Sequence, residues 1–195
     1  SSSSSSSTVA SSSDVRFIPE RDAEGQYVFP RSGSSHVRYF VTDTTTGERW
    51  LAKSDLLWDK YGRLNEAGMA EGIAKEVIAT RIYRALGVPV ARLETAVLPV
   101  ITPPDDRLLT EAAEAGFAMP TQVWCLLSRY LDHFKPYGYL PHLQAQSDKP
   151  QFTLAIDGRL YPEVGLGRVL AVAVWINDID VIGGSGANVG YRLRQ

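Results

Sequence analysis

An α+β fold is the expectation from the sequence: an antiparallel sheet plus one long helix, followed by the beginning of a helical second lobe. Three observations carry it. Apolar and polar residues alternate at two-residue spacing through 36–43, and a Thr/Gly turn leads into a further strand at 48–53. Apolar side chains then recur at three- and four-residue spacing over 73–86, and a nearly all-apolar segment of helix length occupies 165–176. At 195 residues, 44% apolar and 22% charged, the chain can bury one substantial core or two small lobes.

The elements follow in order. Residues 1–14 open on a serine tract, with ten serines in the first thirteen positions and almost nothing to bury, so a disordered tail is expected there. Tyr27-Val28-Phe29 reads as a first short strand and Pro30 to Ser35 as a turn. Val37, Tyr39 and Val41 alternate along a second strand, 36–43. Thr44-Thr45-Thr46-Gly47 then turns into a third, 48–53, to give a three-strand meander. The helix follows, its stripe formed by Ile73, Val77, Ile78, Ile82, Ala85 and Leu86. Gly87 stands where a left-handed cap ends a helix, and Pro89 forbids resumption. One or two strands are expected in 88–100, a loop with a short helix in 102–120, and a strongly apolar strand in 122–131. Pro and Gly punctuate 132–162, which reads mostly as loop with a hairpin at Asp157-Gly158. The organisation expected is thus a tail (1–14), an amino lobe with a hinge (15–131) and a partial carboxy lobe (132–195).

Composition restricts the function classes. A formal charge of -2 lacks the basic excess that broad binding of nucleic acid or anionic membrane requires, so no nucleic-acid partner is expected. No run reaches the ~18 apolar residues of a membrane span, and no apolar core of a secretory signal opens the chain. A cytoplasmic location is expected, although the address of a specialised secretion system leaves no trace in a sequence. Cys125 is the one cysteine and lies in the apolar run Val123-Trp124-Cys125-Leu126-Leu127, which reads as a buried bystander. His36, His133 and His142 have no metal-ligand spacing, and no Gly-x-Ser-x-Gly elbow supports a serine hydrolase. The glycine-rich stretch from Val181 to Gly190 looks like a dinucleotide-binding turn. That unit requires a following helix and strand, and only Tyr191 to Gln195 remain.

Chemistry-bearing residues recur in a definite order. Lys53 closes Trp50-Leu51-Ala52-Lys53. Glu76 lies in Lys75-Glu76-Val77-Ile78-Ala79, running into Ala85-Leu86-Gly87-Val88-Pro89-Val90. Near the end stand Asn177-Asp178-Ile179-Asp180 and Asn188. Strand, Gly/Ser turn, strand, strand ending in lysine, helix with an internal glutamate, strands, helix and Asp/Gly/Asn loop together resemble the amino lobe and catalytic loop of a protein-kinase-like fold. Within it the chain is most similar to the atypical HipA-like and phosphatidylinositol-kinase-like group.

The resemblance implies a site built around ATP and Mg2+. A triphosphate is a dense anion, so a cation belongs beneath its α and β phosphates, and Lys53 is the implied one. Glu76 would orient its ammonium; Glu71 competes for that role, but Glu76 stands eleven residues before Gly87, the spacing associated with the family. Gly33, in Ser32-Gly33-Ser34-Ser35, would let backbone amides approach phosphate, although this is no Gly-x-Gly-x-x-Gly. Ser128 and Tyr130 fall where the backbone of a hinge would recognise adenine. Asp180, ahead of Asp178, is the implied catalytic base, and Asn188 the metal ligand. Kinases commonly separate these two by about five residues, whereas Asp180 and Asp178 precede Asn188 by eight and ten.

A second metal-binding aspartate would follow the catalytic loop, but the chain ends at Gln195 first. A truncated or degenerate module is therefore expected, with weak ATP binding and little phosphotransfer. The phosphate acceptor stays open between protein, lipid and small molecule. The alternative is a non-catalytic interaction scaffold that keeps the lobe. An all-apolar helix at 165–176, if left uncovered, also implies self-association or a protein partner.

Overall fold

A computed structural model describes residues 15–30, 35–104, 106–131, 135–136, 143–145, 152–156, 159–162, 166–176 and 190–191. It is α+β, as expected. The chain divides into two compact units, Ser1–Ile73 with Leu93–Tyr130, and Ala74–Arg92 with Leu131–Gln195.

The first unit is a curled five-stranded antiparallel sheet. Strands β1 (Phe17–Pro19), β2 (Val37–Asp43) and β3 (Arg49–Ser54) precede helix α1 (Glu66–Ala85). Strand β4 (Leu93–Pro99), helix α2 (Arg107–Glu114) and strand β5 (Gln122–Arg129) follow it. The spatial order β1-β2-β3-β5-β4 inserts the last strand between the third and fourth. Alternation decides the faces. Val37, Tyr39 and Val41, with Trp50 and Ala52, and with Val123, Cys125 and Leu127, all point into one core. Phe17, Leu98, Ile101, Leu109 and Met69 complete it. The Tyr39 hydroxyl crosses that core to donate to the Pro99 carbonyl at 2.7 Å. Burial pushes the Cys125 thiol up to about 12, so the thiolate needed of a nucleophile is not available, in keeping with a bystander.

Two expectations for the sheet need correction. The first strand is Phe17–Pro19, which pairs with β2 through Phe17↔Asp43. Tyr27-Val28-Phe29 forms no regular strand; Tyr27 makes an isolated bridge to Arg21, and Val28 bonds to the Glu20 carbonyl and accepts from Phe40. A three-residue apolar run competes poorly with Phe17, whose ring is buried edge-on against Trp50. The α1 stripe also differs: Ile78 is 56% exposed and Leu86 44%, whereas Met69 and Tyr83 are buried. The more sheltered line runs in steps of four from the buried Met69 through half-buried Ile73 and Val77, and Ile78 lies off it.

Local chemistry sets the ends of these elements. The Asp43 carboxylate accepts from the Thr45 amide at 2.9 Å and shapes the β2–β3 turn. Asn65 caps α1 by accepting from the Gly68 amide at 3.0 Å, and Asp106 caps α2 by accepting from Leu109. In the β3–α1 connection Gly62 has φ +74°, and a β-carbon there would meet the Phe117 ring at 2.7 Å.

The second unit contains the later part of α1, the chain through Arg92, and helix α3 (Leu166–Ile176). Tyr83, Val88, Val172 and Ala173 form its described core, flanked by Ile82, Val90, Val169 and Ile176. Gly87, at φ +74°, ends α1 as expected: its amide bonds to the Arg84 carbonyl and that of Val88 to Tyr83, which is a Schellman cap. Gly87→Ala forces a β-carbon into the left-handed region, at a cost of about 1–2 kcal/mol. A lowered urea midpoint is expected for that variant, and an unchanged midpoint would show the cap to be dispensable.

The stretch 132–162 contains more strand than expected. Strands β6 (Lys135–Pro136), β7 (Leu143–Ala145), β8 (Phe152–Ile156) and β9 (Arg159–Pro162) lie within it, and β10 (Gly190–Tyr191) near the end pairs with β6. The register Ile156↔Arg159 closes β8 on β9 around Asp157-Gly158, where the hairpin is expected, and β7 adds a third strand. Prolines that read as loop punctuation are tolerated at strand ends, where no ladder donor is required. In α3, Val174 is 83% exposed and Trp175 72%, so the helix is covered on one side only, not all round.

Candidate functional site

The outward face of the curled sheet gathers several of the implied site residues. Register fixes this directly. Arg38 lies opposite Lys53, Lys53 opposite Leu126, and Leu126 opposite Thr95. One pleat further, Phe40, Leu51, Ser128 and Leu93 form a second row across the same four strands. Lys53 and Ser128 therefore share the face opposite the Trp50–Ala52 core. Leu126, though outside that core, is only 1% exposed.

Tyr130 closes this face at the end of β5. Its amide bonds to the Arg49 carbonyl at 2.8 Å, and its ring meets Phe40 edge-on at 5.5 Å. The Arg49 guanidinium lies 3.8 Å from the Phe40 centroid and 5.2 Å from that of Tyr130, a cation–π clasp. Glu20 holds the guanidinium from the other side, accepting from Nε at 2.9 Å and pairing with Nη2 at 2.8 Å. Arg129 pairs with Glu48 at 2.8 Å. The segment leaving the sheet is thus anchored by both backbone and side chains. The sequence signalled the apolar strand but not this clasp, because its members come from Glu20, Phe40, Arg49 and Tyr130, far apart along the chain.

A second polar cluster ties the two edges of the sheet together. Arg16, just before β1, reaches the buried Asp43 carboxylate at 2.8 Å and Glu94 on β4 at 2.7 Å. The Arg16 hydrogen bonds hold the Asp43 carboxyl down at about 2, assisted by the Thr45 amide and opposed by desolvation. Sequence reasoning missed this cluster, since no motif spans residues 16, 43 and 94.

The implied partners of Lys53 lie on helix α1. Glu76 is an exposed position of α1 in the second unit, and Glu71 an exposed position of the same helix in the first. Gly33, Asp178, Asp180 and Asn188 lie outside the described residues, as do the serine tract and the glycine-rich stretch at 181–189. Among the described residues, no group of three or more His, Cys, Asp or Glu side chains is placed to hold a metal ion. Among them, too, no helix is long and apolar enough to cross a membrane. No protein-family model, curated protein or solved structure matches the chain.

Proposed function

We propose that the chain is an ATP-binding, kinase-like phosphotransferase module in which Lys53 receives the nucleotide phosphates. The observation that carries this reading is the register Lys53↔Leu126. It sets the lysine on the strand next to the one that leaves the sheet at Tyr130, so one ligand can span a cation and an anchored backbone edge. The order β1-β2-β3-β5-β4, with α1 between β3 and β4, agrees with an amino lobe of that kind. On this reading Glu76 would orient the Lys53 ammonium, Asp180 or Asp178 would serve as base, and Asn188 would hold Mg2+, which when bound would offset charge on the phosphates.

Calorimetric titration of the chain with Mg-ATP tests this. Lys53→Ala removes a charge-assisted contact and is expected to weaken binding about ten- to hundredfold. ATP binding that survives unchanged in the variant would sink the assignment.

A second reading, a non-catalytic interaction scaffold, is favoured by the exposure of Val174 and Trp175 on α3. Under it, light scattering detects self-association that Trp175→Ser relieves, while Mg-ATP gives no heat.

A further inference from the structure

The two outer edges of the sheet differ. β1 is three residues long and ends in Pro19, a short edge of the kind that resists pairing. β4 is seven residues long, and among the described residues no strand pairs with its outer side. Backbone bonds fix which of its residues face that side. The Val100 amide donates to the Thr121 carbonyl at 3.0 Å, one step beyond the pair Pro99↔Gln122 and so directly across the ladder. Hydrogen-bonded pairs alternate along an antiparallel ladder. Glu94, Ala96 and Leu98 therefore bond to β5, whereas Leu93, Thr95 and Val97 turn their amides and carbonyls outward. The Tyr130–Arg49 bond agrees, since it commits the even-numbered residues of β5 to β3 and leaves the odd ones for β4. The outward row carries no charge. Thr95 is exposed, and Val97 is 47% exposed directly opposite Trp124, itself 56% exposed. Glu94, the one charge on β4, lies on the inner face with Leu98 and pairs with Arg16 at 2.7 Å. None of the usual guards of a long edge, an outward lysine or a central proline, is present.

We infer that β4 is a docking edge for a second copy of this chain, which adds its own β4 antiparallel about a two-fold axis at Thr95. The occupant is a second copy because the strand is complementary to itself in this register. Thr95 lies opposite Thr95 of the other copy, and Leu93 opposite Val97, so all three outward amides and carbonyls find partners. Neighbouring registers fail for stated reasons. Centring on Ala96 or Val97 sets Pro99, which has no amide, opposite Leu93 or Thr95. Centring on Glu94 sets two carboxylates opposite one another. In the Thr95 register the exposed Val97 and Trp124 of one copy run on into Leu93 of the other, a continuous apolar strip across the junction. This surface is independent of the nucleotide reading and distinct from the exposed face of α3.

Sedimentation velocity of the full chain across a concentration series is expected to show a monomer–dimer equilibrium. Thr95→Pro removes an amide that faces away from β5, so the internal ladder survives while edge pairing is blocked. Thr95→Lys sets two ammonium groups against each other at the axis. Each is expected to weaken the dimer about tenfold or more. Salt at about 1 M, which screens the repulsion, restores part of the loss in Thr95→Lys only. Register is read by cross-linking with diamide as oxidant. Opposed residues of a bonded pair lie about 5.5 Å apart, within disulfide reach, so Thr95→Cys links two copies. Val97→Cys does not, because the two copies of that residue stand about 14 Å apart along the strands. Cys125 is buried and does not compete. A wild type that stays monomeric at every concentration would overturn the inference. So would a dimer that persists unchanged in Thr95→Lys, or one that Trp175→Ser dissolves while both Thr95 variants leave it intact.

Discussion

Replacing Trp50 by alanine is expected to remove about 3–5 kcal/mol of stability, a large share of the roughly 5–15 kcal/mol that a domain commands. Trp50 sits on the central strand β3, fully buried, opposite Val41 on β2 and Arg129 on β5. Its ring meets Phe17 at 5.9 Å and 74°, so it also holds β1, whose ladder to β2 spans only three residues. The cavity left by an indole cannot be refilled by a curled sheet whose neighbours Tyr39, Ala52 and Leu127 are already packed. Urea unfolding followed by far-ultraviolet circular dichroism reads the loss as a lower midpoint with little change in slope. Trp50→Phe, which keeps an aromatic ring against Phe17, should lose much less. An alanine variant with the midpoint of wild type would mean that the first unit is not held by this core.

Acidification gives the second large effect. Asp43 is buried and its carboxyl is held down at about 2 by Arg16, against an ordinary value of 3.8. A group whose folded pKa is depressed stabilises the fold in full above its unfolded value. Its contribution is withdrawn as pH falls from 3.8 towards about 2 and is gone below that. Wild type should therefore lose stability through this window more steeply than Asp43→Asn, which has no proton to take up. Of the single changes to this pair, Arg16→Met should be more damaging at neutral pH than Asp43→Asn. It leaves a buried carboxylate without its cation and removes the Arg16–Glu94 ion pair, so this link between the β1 and β4 edges is lost. Combining Arg16→Met with Asp43→Asn should recover part of the loss, because the uncompensated charge is gone. Parallel pH profiles for wild type and Asp43→Asn would exclude the pair as the source of acid sensitivity.

Local periodicity determined the element types of the ordered core. Val37, Tyr39 and Val41 had to share a face because side chains alternate along a strand, and Gly87 had to end α1 because few other residues adopt its left-handed backbone cheaply. The same alternation put Arg38 and Lys53 each on a definite side of its own strand. Tertiary structure alone decided which strands meet. That β5 inserts between β3 and β4, that Phe17 rather than Tyr27 begins the sheet, and that Arg16 joins Asp43 to Glu94 all depend on pairings between distant segments. Periodicity is a property of a few neighbouring residues, whereas register is chosen by the packing of the whole core. Only that packing set Arg38 opposite Lys53, and Lys53 opposite Leu126.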